Sequence, residues 1–235
     1  MNDFYKEVRK DILDFLKNLG SRVFFNEKDF QVHLVKYLSS NKYYDDVEME
    51  YFVPKAMLYE RLASDDKKSP WKGSFYIDIV VCKGDEYIPI ELKYKTKQEK
   101  VQIERFGGLS SKPISIIKTH SAQDLGRYAF WKDVKRVELL QNAFFGTVKH
   151  GLCIFLTNDL SYKNSCTDTI CENFAMSEGK HGTDMSWKGG SDSTTANKPD
   201  FSLVRQYEID WDGFKSIISG KEIEFIYTIV TVKVD

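Results

Sequence analysis

The stretch IDIVVCKGDEYIPIELKYK, residues 77 to 95, limits the possible folds more than any other part of this chain. β-Branched and aromatic residues on either side of Gly84-Asp85 predict two strands joined by a two-residue hairpin turn. If Lys83 faces Glu86, the pairing continues through Cys82 with Tyr87, Val81 with Ile88, Val80 with Pro89 and Ile79 with Ile90. Asp78 then falls opposite Glu91. Directly opposed side chains lie ~5 Å apart, and like charges so placed repel. Strand alternation puts Lys93 on the face of Glu91 and Leu92 on the other. Buried carboxylates are costly unless something cationic sits between them, and oxygen ligands at this reach suit a hard divalent ion such as Mg²⁺ or Mn²⁺. A lysine on the same face would orient water and offset developing negative charge.

The rest of the chain bounds this reading. Its 235 residues suit one domain. With 42% hydrophobic and 29% charged residues, disordered and collagen-like classes are excluded. No apolar run reaches the ~20 residues of a membrane helix, and MNDFYKEVRKDILDFL scatters charges through its apolar positions, unlike a signal peptide. A cytoplasmic location is expected. Cys82, Cys153, Cys166 and Cys171 form no CxxC pair and are read as free thiols. His33, His120, His150 and His181 have no partner at metal or triad spacing and are read as structural. No repeat, Walker loop or HExxH helix is present. The net charge is −1, yet from Lys93 to Lys118 seven basic residues face only Glu99 and Glu104. That segment is a candidate backbone-tracking surface for nucleic acid.

Periodicity places the hairpin among helices. Phe4, Val8, Ile12, Phe15, Leu16 and Leu19 predict a first helix. Asn26 is the expected N-cap of a second, with Phe30, Leu34, Tyr37 and Leu38 as its buried stripe, so Glu27 projects from its first turn toward the core. VEMEYFVP predicts a strand stopped by Pro54, and ERLASDDKKSPWKGS a polar connection containing a short helix. HSAQDLGRYAFWKDVKRVELLQNAFFG predicts a helix capped by Ser121, with Asp124 at the capping-box position, ending near Phe145. VKHGLCIFLTND, FSLVRQYEID and KEIEFIYTIVTVKV predict strands. Residues 161–199, poor in large aliphatic side chains, are read as a long loop insertion within a single domain spanning 1–235, either a flap over the substrate groove or an inert insertion.

The arrangement Asp78, Glu91, Leu92, Lys93 resembles the PD-(D/E)XK nuclease superfamily, and the order of elements over residues 26 to 158 resembles its core. The Pro that often precedes the Asp is here Ile77. AQDLGRYAFWKDVKRVE is also similar to a set of bacterial restriction-endonuclease-like proteins. The resemblance implies an α/β fold with a restriction-endonuclease-like mixed central sheet flanked by helices, core order αβββαβ. It implies a Mg²⁺- or Mn²⁺-dependent phosphodiesterase acting on nucleic acid, with DNA the expected substrate. Asp78, Glu91 and Lys93 would be catalytic, with Asp78, Glu91, the Leu92 carbonyl and Glu27 as metal ligands. Lys95, Lys97 and Lys100 would contact phosphates, and Gln31, Gln123 and Tyr128 would be accessory, the last two as near-matches to a RecB-type motif. A homodimer or partner subunit is compatible with this, as is a catalytically silent nucleic-acid-binding module on the same fold.

Overall fold

The computed structural model describes residues 4–20, 22–62, 74–189 and 197–233. Helix α1 (Phe4–Lys17) and helix α2 (Glu27–Leu38) form first, α2 capped by Asn26, whose side chain accepts from Asp29 N–H. Strand β1 (Asp46–Val53) follows, then the short helix α3 (Lys55–Arg61). The hairpin is β2 (Phe75–Lys83) and β3 (Glu86–Lys95). A 21-residue helix α4 (Gln123–Ala143) leads to β4 (His150–Thr157), and a second hairpin of β5 (Asp212–Ile218) and β6 (Lys221–Lys233) completes the sheet. The fold is therefore mixed α/β, with strand order β1-β2-β3-β4-β6-β5. Only β3 and β4 pair in parallel, and α4 is the crossover between them.

Both faces are covered. On one, α1 and α2 pack Val8, Ile12, Leu16, Phe30 and Leu34 onto Ile79, Val81, Ile90, Leu92, Ile154 and Leu156. On the other lies α4, whose Leu139 and Leu140 meet Ile77 and Val80, while Phe130, Trp131 and Val134 meet Cys153 and Phe155. Sheets buried on both faces carry near-continuous apolar runs, which is how β3 and β4 read.

Ile77 and Ile79 are two residues apart, yet they join cores on opposite faces of the sheet. Regular alternation would send them the same way. The break lies at Asp78, which is missing from both ladders of β2: β1 pairs Met49 with Ile79 and Tyr51 with Ile77 but skips the position between, and β3 pairing stops at Ile79 with Ile90. Across from Asp78, Glu50 takes a left-handed φ of 55°. The irregularity turns Asp78 out of the regular pleat.

Two sequence expectations change here. The chain enters α4 through Ala122 in a left-handed conformation (φ 63°) with no side-chain cap, so neither Ser121 nor Asp124 caps it, and the helix stops at Ala143. The described residues of 161–199, which are 161–189 and 197–199, have little regular structure, as read, but are not a free loop. Tyr162, Cys166, Cys171, Phe174, Met176 and Met185 are buried against α4. Trp131 Nε1–H donates to Phe174 O at 3.2 Å, Trp211 Nε1–H to Met176 O at 2.6 Å and Arg127 Nη2–H to Ser161 O at 2.8 Å. A flap hinged over a groove needs fewer buried contacts than this layer makes. All four cysteines are free thiols, Cys82 half-buried and the others buried. Among the described residues no helix is long and apolar enough to cross a membrane.

Candidate metal and phosphate site

The irregular turn at Asp78 brings its carboxylate back onto β3. Its Oδ2 accepts the Leu92 N–H at 2.7 Å, in place of a regular cross-strand pair with Glu91. Glu27, the first residue of α2, sends Oε2 to the Tyr94 N–H at 2.8 Å. Two backbone donors of the same strand are thus taken by carboxylates from two other elements. Gln31, one helical turn after Glu27, donates Nε2–H to Asp78 O and, at 3.0 Å, to Glu50 Oε1, which also accepts from Lys28 at 2.7 Å.

Glu91 and Lys93 point to the other face and meet α4. Arg136 donates Nη1–H to Glu91 Oε1 at 2.8 Å, and Lys93 Nζ lies 2.6 Å from Asp133 Oδ2 and 3.1 Å from the Leu92 carbonyl oxygen. Asp133 and Arg136, three residues apart on α4, complete the cluster at 3.8 Å from each other. Sequence reasoning missed both. Their spacing on one helix face was visible, but nothing local says that α4 lies over β3.

Four carboxylates, Glu27, Asp78, Glu91 and Asp133, therefore lie within Coulombic reach of Lys93, with Arg136 the second cation. Burial first, and like charge second, shifts Asp78 and Glu91, and the acids around Lys93 hold it charged. Burial, aided by Asp133 and Glu27, raises the Asp78 carboxyl above its ordinary value despite Lys93 and the Leu92 N–H. Burial raises Glu91 well above the carboxylate range, with Asp133 and Asp78 adding to it, although Arg136 opposes. Burial alone would lower Lys93, but Asp133, Glu27, Glu91 and Asp78 outweigh it and hold the ammonium charged. A cluster with too few cations relieves itself by taking a proton or another cation.

A cleft of about 390 Å³ opens beside Asp78, lined by Asn26, Glu27, Lys28, Gln31, Glu50, Leu92, Tyr94, Lys95 and His120. His120, read from sequence as structural, stands at its edge. Its Nδ1 accepts the Thr96 N–H at 3.0 Å, while the Thr96 hydroxyl donates to Lys118 O at 2.7 Å. The imidazole proton therefore sits on Nε2. A more enclosed apolar cavity of about 340 Å³, between α3 and α4, holds none of these groups.

The other sequence candidates separate. Lys95 lines the cleft, and Lys100 is exposed on the segment beyond it. Lys97 instead pairs with Asp159 at 2.8 Å, and Gln123 donates to the same carboxylate. Tyr128 is core: its ring packs on Phe174, Trp187 and Phe201, and its hydroxyl donates to Pro199 O. Neither Gln123 nor Tyr128 joins the acidic cluster.

Hard oxygen donors, a buried surplus of negative charge and the Leu92 carbonyl at its centre fit Mg²⁺ or Mn²⁺ in chemistry. The donors are not gathered into a finished ion site: among the described residues no three His, Cys, Asp or Glu side chains converge closely enough to hold a metal. Glu91 lies on the α4 face of β3 with Arg136, while Glu27 reaches β3 from α2 on the other face. No family model, no curated protein and no solved structure matches this chain.

Proposed function

We propose that this protein is a metal-dependent nuclease with a restriction-endonuclease-like fold of the PD-(D/E)XK type, hydrolysing phosphodiester bonds of nucleic acid, DNA first. The observation that carries this reading is the cluster between α2, β2, β3 and α4, in which Glu27, Asp78, Glu91 and Asp133 outnumber Lys93 and Arg136, and whose Glu27, Asp78 and Leu92 line an open cleft.

Asp78, Glu91 and the Leu92 carbonyl, with Glu27, would hold a Mg²⁺ or Mn²⁺ ion. When bound, the ion supplies a lowered water pKa and positive charge at the scissile phosphate. Lys93, kept charged by its acidic neighbours, donates from Nζ to the attacking water and to the charge that grows on the phosphoryl oxygens. Lys95 and the Nε2–H of His120, both at the cleft, hold non-bridging oxygens. Gln31 fixes the backbone carbonyl of Asp78, which keeps the irregular turn in place. Arg136 and Asp133 satisfy Glu91 and Lys93 until the cluster gains its further cation.

A second reading has its own support: a silent or partner-dependent nucleic-acid-binding module, favoured by the pairing of Glu91 with Arg136 and of Lys93 with Asp133. A cleavage panel of plasmid, linear, single-stranded and branched DNA and RNA with Mn²⁺ separates the two. The nuclease reading expects cutting that EDTA, Asp78→Ala, Glu91→Ala and Lys93→Ala each abolish. Wild-type protein that binds several of these substrates and cuts none would establish the silent module instead.

A further inference from the structure

Beyond the cleft the chain forms an arm. It leaves β3 at Thr96 and returns at His120, and its neck is pinned by His120 N–H to Thr96 O (2.7 Å), Thr96 Oγ1–H to Lys118 O (2.7 Å) and Gln98 N–H to Thr119 Oγ1 (3.0 Å). Glu99–Val101 pairs with Ile114–Ile117 near the base, and Glu104–Arg105 with Gly108–Leu109 at the tip. Because Lys95 and His120 also line the cleft, the arm grows from the rim of the candidate site.

The tip turn is Phe106-Gly107, with φ of 54° and 77°. Two positive φ values in a two-residue hairpin turn call for Asn, Asp or Gly, and a bulky aromatic at the first position costs folding energy. Phe106 is moreover wholly exposed, at 109% of its reference surface. It packs nothing in the fold that would offset either cost. Next to it the Arg105 guanidinium stacks over Phe25, its centre 5.1 Å from the ring, and Phe25 is itself 45% exposed. Phe25 and Arg105 line a separate cavity of about 450 Å³ together with Arg22, Asp29 and His33, and Asn26, the next residue in the chain, lines the cleft. Lys100, Arg105 and Lys112 are exposed on the arm against one exposed acid, Glu104, while Glu99 is taken by Lys221. Isolated aromatic faces interleaved with a guanidinium plane and lysines have the composition of a platform for unstacked nucleobases, whose phosphates the cations hold. The tip exposes one other large apolar side chain, Leu109, 64% exposed and paired with Glu104.

We propose that residues 99–117 are a base-stacking finger: Phe106, with Arg105 and Phe25, takes unstacked bases of single-stranded or locally opened nucleic acid next to the cleavage cleft. This rests on the nucleic-acid reading above and narrows its substrate class to strands with accessible base faces.

The test is binding in EDTA, which silences cleavage, measured by fluorescence anisotropy with a single-stranded oligonucleotide and with an abasic strand of equal length. Wild type should prefer the base-bearing strand. Phe106→Ala should weaken that complex by about tenfold or more, the range of one lost stacking contact, while leaving abasic binding within about twofold. Phe106→Trp should restore the preference. The exposed tip keeps all three proteins equally folded, which their thermal unfolding checks. Equal affinity of wild type for both strands, or a Phe106→Ala loss that is absent or the same on both, overturns the finger. So does sedimentation showing a wild-type dimer that Phe106→Ala dissolves, since the ring would then be a self-association contact. Base-dependent binding that depends on Phe106 but is never followed by cutting with Mn²⁺ removes the nuclease and leaves the finger. Cutting without that dependence removes the finger alone.

Discussion

Replacing Asp78 by Asn deletes one negative charge from the cluster while keeping an acceptor for the Leu92 N–H, now 2.7 Å from Oδ2. In the absence of metal the carboxyl is raised by burial and by Asp133 and Glu27, against Lys93, so the charged form is disfavoured in the folded state. Asp133 and Glu27 crowd this carboxylate, and relief of such like-charge contacts, taken at the scale known for opposed charges in a sheet, is worth ~0.2–1 kcal/mol. In a domain of this size that lifts Tm by up to ~4 °C. The sign depends on pH. A carboxyl whose folded pKa lies above its unfolded value of ~3.9 favours folding fully below that value and loses the benefit as pH rises through the folded pKa. Wild type and Asp78→Asn should therefore unfold together near pH ~3, and the variant should be the more stable at neutral pH. Metal reverses the order. An ion bound only by folded wild type adds about 2.7 kcal/mol at a hundredfold excess over Kd, or roughly 5–11 °C, and the variant should gain much less. The assay is thermal unfolding of both proteins in EDTA and in graded Mn²⁺. Equal Mn²⁺ shifts, or a wild type more stable than Asp78→Asn without metal at neutral pH, would refute the reasoning.

Arg136→Met should destabilise by ~3–5 kcal/mol in urea unfolding, because Glu91, 2% exposed, loses the guanidinium at 2.8 Å. Adding Glu91→Gln should recover most of that loss, and strict additivity of the two changes would mean that the pair is not coupled. Gly126→Ala ought to gain ~1 kcal/mol from helix propensity. Its Cβ would however come within 2.3 Å of the Tyr162 hydroxyl oxygen, so a net loss is expected, rescued by Tyr162→Phe. A stabilising Gly126→Ala would show that the layer over α4 packs differently.

The hairpin was legible because its information is local. Gly84-Asp85 sets the register, and the pairs from Lys83 with Glu86 to Ile79 with Ile90 follow as read. Asn26 caps α2 for the same reason. The expected pairing of Asp78 with Glu91 does not form: the ladder yields there to a contact with Leu92 N–H, opposite Glu50 in a left-handed conformation on a third strand. Asp133 and Arg136 were hidden by distance along the chain: only the parallel pairing of β3 with β4 lays α4 over Glu91 and Lys93. Residues 161–199 were misjudged by weighing aliphatic content. Their burial rests on Tyr162, Phe174, Met176, Met185 and two cysteines, side chains that fill a core without helical or strand periodicity. Strand β5 was missed as well, because DGFKSII alternates poorly and gains its regularity from β6.

The place of β6 has a consequence for synthesis. It lies inside the sheet, bonded to β4 along Ile226–Lys233 and to β5 along Lys221–Tyr227. A chain still emerging from the ribosome carries β1 to β4 long before it carries this strand. Until then the backbone of β4, the most buried strand of the sheet, is an open template for another chain. Cotranslational collapse can organise the hairpin and α4, but the sheet closes only once β6 has been made. Proteolysis or premature termination anywhere between β4 and β6 should thus yield fragments that aggregate, whatever happens at the acidic cluster.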